Sequence, residues 1–409
     1  MRLQILGGGN NQLNAIKRVR QMGHEVVLVD YFDNPPGKRY ANFHEVASTF
    51  DIGANIDIGK RYSIDGIMTI GTDQPIYTAA RVAEELELPS FLNVPTALAV
   101  TNKRVMKKIL KDNNIPTANY RLVDKSFKKN QPLGLKFPLV LKPLDSQGQR
   151  GVYKLNSPQE VEDNIPSTLS FSREEEALLE EFYPSDEITI SSWVKEGSTH
   201  MLTITDRGIF QRDKHIGICF SHDFPSKHIG RYSEIKEINE NITQAFNIKN
   251  GPLYVQMLVG EEGIIVNEIA CRIGGAYEDI FIPYLTGVDI LGLVIDNSLG
   301  IRRSPNIKTS PLDIKKHLSV QLFFAHPGKV KEVTPIEELL KLPGVIHMGY
   351  NVSPGSTIEK IKNATARAGY IIITGDSRED LYNNINNTFK SLKITDEDNN
   401  NLAIQTKIY

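Results

Sequence analysis

Apolar residues follow two different periods along this chain, and the change of period divides it. Leu3 to Leu6 form a short apolar run that ends in Gly7-Gly8-Gly9-Asn10, and Leu13, Ile16, Val19 and Met22 then recur at helical spacing until Gly23. Val26-Val27-Leu28-Val29-Asp30 reads as the next buried strand, so the segment predicts a βαβ unit. A strand over Gly66 to Gly71 and a helix from about Pro75 to Leu86 extend it into an open, mostly parallel sheet over the first hundred residues.

Beyond Asn93-Val94-Pro95 two helices follow. Thr101 or Asn102 caps the second, which carries Val105, Met106, Ile109 and Leu110, and Asn113-Asn114-Ile115-Pro116 breaks it. The pattern then becomes strand-rich and antiparallel: Pro138 to Pro143, Gly151 to Leu155, Ala177 to Phe182, Glu187 to Val194 and Met201 to Thr205. Leu253 to Val259 and Gly263 to Ile269 flank Gly260-Glu261-Glu262 as a hairpin, and a helix carries Ile290, Leu293, Val294 and Ile295. After Ile301-Arg302-Arg303-Ser304-Pro305, alternation resumes near Ser319 and ends in a helix from about Arg378 to Leu392, before a polar tail.

Composition narrows the function classes. A chain of 409 residues holds two or three packed domains, with room for a cleft between them. Hydrophobic residues at 40% and charged residues at 23% place it in the ordinary soluble class. The net charge of −2 argues against nucleic acid as main partner, and no run approaches the ~20 apolar residues that span a bilayer. The N-terminal apolar stretch is too short for a signal peptide, and two cysteines, Cys219 and Cys271, fit a reducing compartment, so a cytoplasmic location is expected.

Several segments carry candidate chemistry. The glycine run at Gly7 can hold a phosphate, but it lacks the third glycine of the dinucleotide fingerprint, so a nicotinamide cofactor is disfavoured despite Asp30 at the end of the second strand. Lys142 closes an apolar strand, where an ammonium needs an anion, and Asp145-Ser146-Gln147-Gly148-Gln149-Arg150-Gly151 behind it can close over phosphate oxygens or serve as an ordinary hairpin loop. Glu180-Glu181-Phe182 and Glu187 flank a strand junction that can accept from an adenine amino group or ribose hydroxyls, or form a solvated turn. Gln256 and Glu268 lie on apolar strands, where inward oxygen ligands need a metal or a hydrogen-bond partner, and magnesium suits such hard donors. Arg272, beside Gly274-Gly275, can steady a transferring phosphoryl group or hold a substrate carboxylate. Ser221 to Ser226, with the loop histidine His222 as a candidate base, and Thr72-Asp73 at a strand end complete the substrate candidates.

In order and approximate spacing, Lys103, Lys142 with its glycine loop, Glu180-Glu181-Phe182, Glu187, Gln256, Glu268 and Arg272 resemble the ATP-grasp superfamily, and Glu268-Ile269-Ala270-Cys271-Arg272-Ile273-Gly274-Gly275 is most like L-amino acid ligases. The resemblance implies an α/β and α+β chain: a parallel pre-ATP-grasp domain at 1–100, like that of biotin carboxylase and carbamoyl phosphate synthetase; an ATP-grasp domain at 101–304 with a lid at about 117–186; and a small α+β domain at 305–409. It implies ATP held by Lys103, Lys142, Ser146, Gln147, Gly148, Gly151, Glu180 at the adenine amino group, Glu181, backbone atoms of Phe182, and Glu187 at the ribose. Gln256 and Glu268 would bind Mg2+, or Mn2+ in its place, and Arg272 with Lys142 would be catalytic. Gln256 stands where many members have a carboxylate, and Ala270 where many have Asn. The implied activity is an ADP-forming carboxylate–amine ligase acting on an amino acid or similar small carboxylate through an acyl phosphate. Its rivals are a purine- or biotin-type carboxylase using bicarbonate and a noncatalytic nucleotide-binding module. Homodimers are common in the superfamily.

Overall fold

Four strands open the chain: β1 (Arg2–Leu6), β2 (Glu25–Asp30), β3 (Phe43–Val46) and β4 (Gly66–Met68), all parallel in the order β3-β2-β1-β4. The computed structural model describes residues 1–212, 215–303 and 305–406; Ser304 and the tail residues Lys407, Ile408 and Tyr409 lie outside the described residues. Helices α1 (Leu13–Gln21), α2 (Ile52–Tyr62) and α3 (Pro75–Glu85) accompany the sheet. Neither β3 nor α2 shows in the hydrophobic pattern, because β3 is a half-buried edge and α2 buries a polar residue, Asn55, which Gln4 Nε2 reaches at 3.0 Å. The strand expected to reach Gly71 stops at Met68. Gly71 takes a left-handed φ of 71° and donates its N–H to the Ile273 carbonyl at 3.0 Å, which turns Thr72 and Asp73 toward the centre of the molecule.

Helices α4 (Val94–Thr101) and α5 (Lys103–Asp112) are capped by Asn93 and Asn102. A separate antiparallel sheet follows in the order β5-β8-β6-β7, built from β5 (Tyr120–Asp124), β6 (Leu139–Pro143), β7 (Tyr153–Leu155) and β8 (Glu176–Glu181). It has its own core, in which Leu139, Leu141 and Leu179 meet Val161 and Ile165 of α6 (Pro158–Leu169), a helix that the strand-like reading of this stretch missed.

The largest sheet combines β9 (Asp186–Lys195), β10 (Ser198–Arg212), β11 (His215–Phe224), β12 (Gly251–Gly260), β13 (Gly263–Ala270), β14 (His317–Ala325), β15 (Val345–Tyr350) and β16 (Gly369–Gly375) in the order β13-β12-β9-β10-β11-β14-β16-β15, with β17 (Ala403–Ile404) against β14. The β11–β14 ladder, Ser221 opposite Gln321, joins strands from both sides of residue 304 in one sheet. Helices α7 (Tyr232–Ala245), α8 (Glu278–Thr286), α9 (Ile290–Ser298) and α10 (Arg378–Ser391) complete the main elements. Phe281, Ile282, Val294 and Ile295 of α8 and α9 share one core with Leu3, Ile5 and Leu28 of the parallel sheet. That contact is close: a Cβ on Gly66 would lie 2.0 Å from the Ser298 carbonyl oxygen, so only glycine fits. Among the described residues no helix is long and apolar enough to cross a membrane.

Candidate active site

A cavity of about 1120 Å³ lies where the parallel sheet, the small antiparallel sheet and the large sheet converge, and a second of about 450 Å³ adjoins it. Lys142 and Asn267 line both.

Lys103 and Lys107 stand one turn apart on α5 and so share a face. Lys103 Nζ lies 3.2 Å from Glu268 Oε1 and donates to the Ser146 carbonyl at 3.1 Å. Lys107 is 2% exposed, with its Nζ 2.9 Å from Glu180 Oε2 and 2.6 Å from Thr117 Oγ1. Lys142, on β6, contacts Glu180 Oε1 and donates to Asn267 Oδ1 at 3.0 Å. Burial alone would raise the Glu180 carboxyl, but Lys107 and Lys142 outweigh it and hold its pKa at about 2. Burial pushes the Lys107 ammonium down against Glu180, whereas at Lys142 the attraction of Glu180 and Glu268 prevails over burial and raises it.

Three residues expected at the nucleotide meet other partners in this structure. Glu180 does not present a free carboxylate to an adenine amino group: both its oxygens are taken by ammonium groups, the partners a buried carboxylate requires. Glu181 accepts from the Lys136 backbone N–H at 2.8 Å and from Asn119 Nδ2 at 2.9 Å, so it ties two loops together. The Phe182 N–H donates to the Pro138 carbonyl at 2.9 Å, and its ring lies 3.5 Å from Lys154 Nζ; its carbonyl, not its N–H, is the backbone atom left to face a ligand. All three line the smaller cavity, together with Glu187.

Gln256 and Glu268 stand directly opposite each other on β12 and β13, and both line the larger cavity. Burial raises the Glu268 carboxyl, but Lys103 and Lys142 together bring it below its ordinary value. Among the described residues no group of three or more His, Cys, Asp or Glu is placed to hold a metal. The Gln256 amide oxygen accepts from Arg207 at 2.7 Å and Glu268 Oε1 faces Lys103, which leaves the second lone pair of Gln256 Oε1 and the second carboxylate oxygen of Glu268 as the donors that fit Mg2+, an ion that keeps waters and shares phosphate oxygens.

Arg272 is 7% exposed and meets Asp73, 199 residues earlier: its Nε donates to Asp73 Oδ1 at 2.7 Å, and its guanidinium lies 4.5 Å from the centre of the Tyr254 ring. Burial opposes its charge, yet Asp73 and Tyr254 leave it raised. Gly275 packs so closely on the Gly71 turn that a Cβ would sit 2.9 Å from the Gly71 carbonyl, and a Cβ on Gly274 would strike Glu278. The Gly274-Gly275 pair therefore lets this strand end reach the parallel sheet. In the loop after β6, Gly148 and Gly151 have positive φ, and Gln147 Oε1 accepts the Asp73 N–H at 2.7 Å. The Ser146 hydroxyl is buried without a hydrogen-bond partner.

His222 is not a loop residue. It sits within β11, 2% exposed at the cavity wall, with Nδ1 3.2 Å from Thr205 Oγ1. Burial lowers its pKa to about 4, so it is a neutral hydrogen-bonding group and a weak base. Sequence reasoning also missed Arg207, Arg367, Tyr254 and Lys107. Arg207 bridges Glu187 at 2.8 Å and Gln256 at 2.7 Å, and the signal was present in Asp206-Arg207-Gly208, a charged pair between Ile204 and Ile209 within one strand. Asp30 accepts from the Gly8 and Phe32 N–H groups at 2.7 and 2.9 Å, so its carboxylate is occupied, which removes the main support for a dinucleotide site.

Residues 135–279 match the ATP-grasp domain family, and residues 320–397 match the L-amino acid ligase C-terminal domain 2 family. The chain carries an ATP-grasp domain. The chain is 25% identical over 281 residues to the L-arginine-specific L-amino acid ligase of Bacillus subtilis, a match spanning 66% of each protein. It is 23% identical to the formate-dependent phosphoribosylglycinamide formyltransferase of Sulfurisphaera tokodaii, covering 91% of this chain and 96% of that one. The crystal structure of the Bacillus licheniformis L-amino acid ligase superposes with a TM-score of 0.80 over 97% of this chain and 98% of its own, at 19% identity, which establishes the shared fold. The homologues are ATP-grasp ligases, and the enzyme class they support is an ADP-forming carbon–nitrogen ligase.

Proposed function

We propose that the chain joins a small carboxylate, an amino acid or close analogue, to an amine at the expense of ATP, through an acyl phosphate. The observation that carries this reading is the convergence of Lys103, Lys142, Gln256, Glu268 and Arg272 on one cavity from four separate stretches of chain. A substrate carboxylate oxygen attacks the γ-phosphorus, the bond to the β–γ bridging oxygen breaks, and ADP leaves. The amine nitrogen then attacks the acyl carbon, loses a proton and expels phosphate. Gln256 and Glu268 are the residues that would hold Mg2+, which neutralises phosphate charge when bound. Lys103 and Lys142 hold phosphate oxygens, Arg272 meets charge on the group in transfer, and the Ser146–Gly151 loop excludes water from the acyl phosphate. Phosphoryl transfer gives a side chain little covalent work, so positioning and fixed charge account for the protein's contribution.

Incubation with ATP, Mg2+ and a panel of amino acids, with and without a second amine, tests the reading. ADP release that depends on a carboxylate, with an amide as product, supports it. Bicarbonate-dependent release instead would replace it with a carboxylase, and ATP binding without any stimulated turnover would replace it with a binding module.

A further inference from the structure

We infer that Lys107 is a positioning residue for phosphoryl transfer: it holds Glu180, and through Glu180 it sets the place from which Lys142 meets a nucleotide phosphate. This rests on the ligase reading above, whose steps do not employ Lys107. Glu180 and Lys142 lie on the paired strands β8 and β6 with Val140 opposite Glu180, so Lys142 stands two positions along on the same face and meets Glu180 Oε1. Lys107, one turn along α5 from Lys103, meets the other oxygen, Oε2, at 2.9 Å. A carboxylate held at one oxygen still turns about its last bond, whereas one held at both is fixed, and so is the lysine that leans on it. A second arm starts at the same ammonium. Lys107 Nζ donates to Thr117 Oγ1 at 2.6 Å, Thr117 Oγ1 donates to the Val266 carbonyl at 2.9 Å, and the next residue, Asn267, accepts from Lys142 Nζ at 3.0 Å. Glu180 and Asn267, the two partners of Lys142, thus both lead back to Lys107.

Stability does not account for Lys107. Glu180 already has Lys142 as a counter-ion, and a second ammonium, 2% exposed, leaves the three groups with one positive charge in excess and a desolvation cost that a shared carboxylate offsets only in part. Burial accordingly pushes the Lys107 ammonium down, while that of Lys142 is raised. A methionine at this position would fill similar space and leave a neutral Glu180–Lys142 pair. The excess charge suits a cluster that awaits an anion, and the three members divide that task by place. Lys142 lines both cavities and so reaches the larger one, where Glu268 and Arg272 stand; Lys107 and Glu180 line the smaller cavity and act on the larger through it.

The full-length protein with ATP, Mg2+ and a mixture of the common amino acids is compared with Lys107→Met. The variant should fold with a urea midpoint at or above that of the wild type, because the charge removed is the one in excess. Its turnover at saturating ATP should fall about ten- to a hundredfold, as a small displacement of Lys142 implies, with a smaller change in KM for ATP. The acid limb of its pH–rate profile should move to higher pH, because Glu180 keeps only the Lys142 ammonium against its burial. Thr117→Val removes the second arm without removing a charge and should lower turnover a few-fold. If Lys107→Met does not fold, that variant decides, and turnover equal to wild type in it overturns the inference. Turnover and acid limb unchanged in Lys107→Met overturn it whatever the midpoint does, and so does a higher KM for ATP at unchanged turnover, which would make Lys107 a direct nucleotide contact. If the mixture elicits no ADP release, the ligase reading fails by itself, and Lys107 is judged by calorimetric titration with MgADP and with adenosine. MgADP binding weakened at least about fivefold in Lys107→Met, with adenosine binding unchanged, supports the positioning role. Equal affinities in both proteins, equal losses for both ligands, or no MgADP binding by the wild type overturn it.

Discussion

The two halves of the site treat charge differently. On the side of α5 and β6, three lysines interlock with Glu180 and Glu268, so cations and carboxylates nearly balance before any ligand arrives. On the side of β11 and β16, Arg272 has Asp73, but His222 is neutral and, among the described residues, Arg367 pairs with no carboxylate. On the ligase reading proposed above, the half that would take the same nucleotide at every turnover is a fixed ionic lattice, and the half that would recognise a particular substrate has fewer ion pairs. The largest tests of this contrast remove members of the lattice. Glu268→Gln should lower turnover by about a hundredfold or more while the thermal midpoint stays near wild type. Near-normal ADP release would detach Glu268 from the metal. Glu180→Ala leaves the buried Lys107 and the part-buried Lys142 ammonium groups without their shared carboxylate and should cost about 3–5 kcal/mol of stability, read from urea titration at pH 7. An unchanged midpoint would mean that the lysines reach solvent.

The lysine half was the more legible of the two in sequence, for a physical reason. A polar or charged residue on an apolar strand stands out, and Lys142, Gln256 and Glu268 were all found that way. The partners of those charges were less visible, because Glu180 meets Lys107 through folding between an α-helix and a strand 73 residues further on, with no spacing rule to announce it. The substrate half depends on distant approach even more: Asp73 with Arg272, and Arg367 with the Cys219 carbonyl, join segments some 150 to 200 residues apart. His222 was misplaced because its neighbours Ser221 and Asp223 are polar and suggest a loop, whereas Asp223 accepts from Ser221 and Ser319 across a ladder. In the fold, βαβ periodicity and the β12–β13 hairpin were readable, while α2 and α6 were hidden by a buried asparagine and by Pro166 within the helix.

A smaller effect separates the halves by pH. The His222 pKa falls from 6.5 to about 4 on folding, so its neutral form is favoured; the stability it contributes is complete above pH 6.5 and is lost as pH falls from 6.5 toward 4. The difference amounts to at most about 3 kcal/mol. Glu180, at about 2, keeps its contribution through that range and loses it only as pH falls from about 4.5 toward 2. Asp279, raised by burial to about 7, acts in the opposite sense, because its contribution is complete below pH 3.8 and is lost as pH rises through 7. Urea midpoints at pH 7 and pH 5 for wild type and His222→Gln isolate the histidine: the variant should lose less stability on acidification than the wild type. Parallel slopes would show that His222 is solvated.

The smallest effect expected lies at the joint between the halves. Gln147 belongs to the loop behind the lysines, yet its side-chain oxygen accepts the backbone N–H of Asp73, whose carboxylate holds Arg272. Arg173 makes a second tie, to Asp145 at 2.7 Å and to Gln74 Oε1 at 2.9 Å. The proposed closure of the loop over one half would therefore be joined to the position of the arginine in the other. A neutral hydrogen bond of this kind is worth about 0.5–1.5 kcal/mol, so Gln147→Ala should shift closure by a few-fold, up to about tenfold, and leave folding intact because Arg173 still spans the gap. Its effect is expected in coupling rather than in rate: an acyl phosphate formed under a loosely seated loop meets water as well as amine. The ratio of ADP released to amide formed should rise from near one toward two or more in the variant. A ratio that stays at the wild-type value would make the loop and Arg272 independent, and the two halves would then communicate only through the ligands they share.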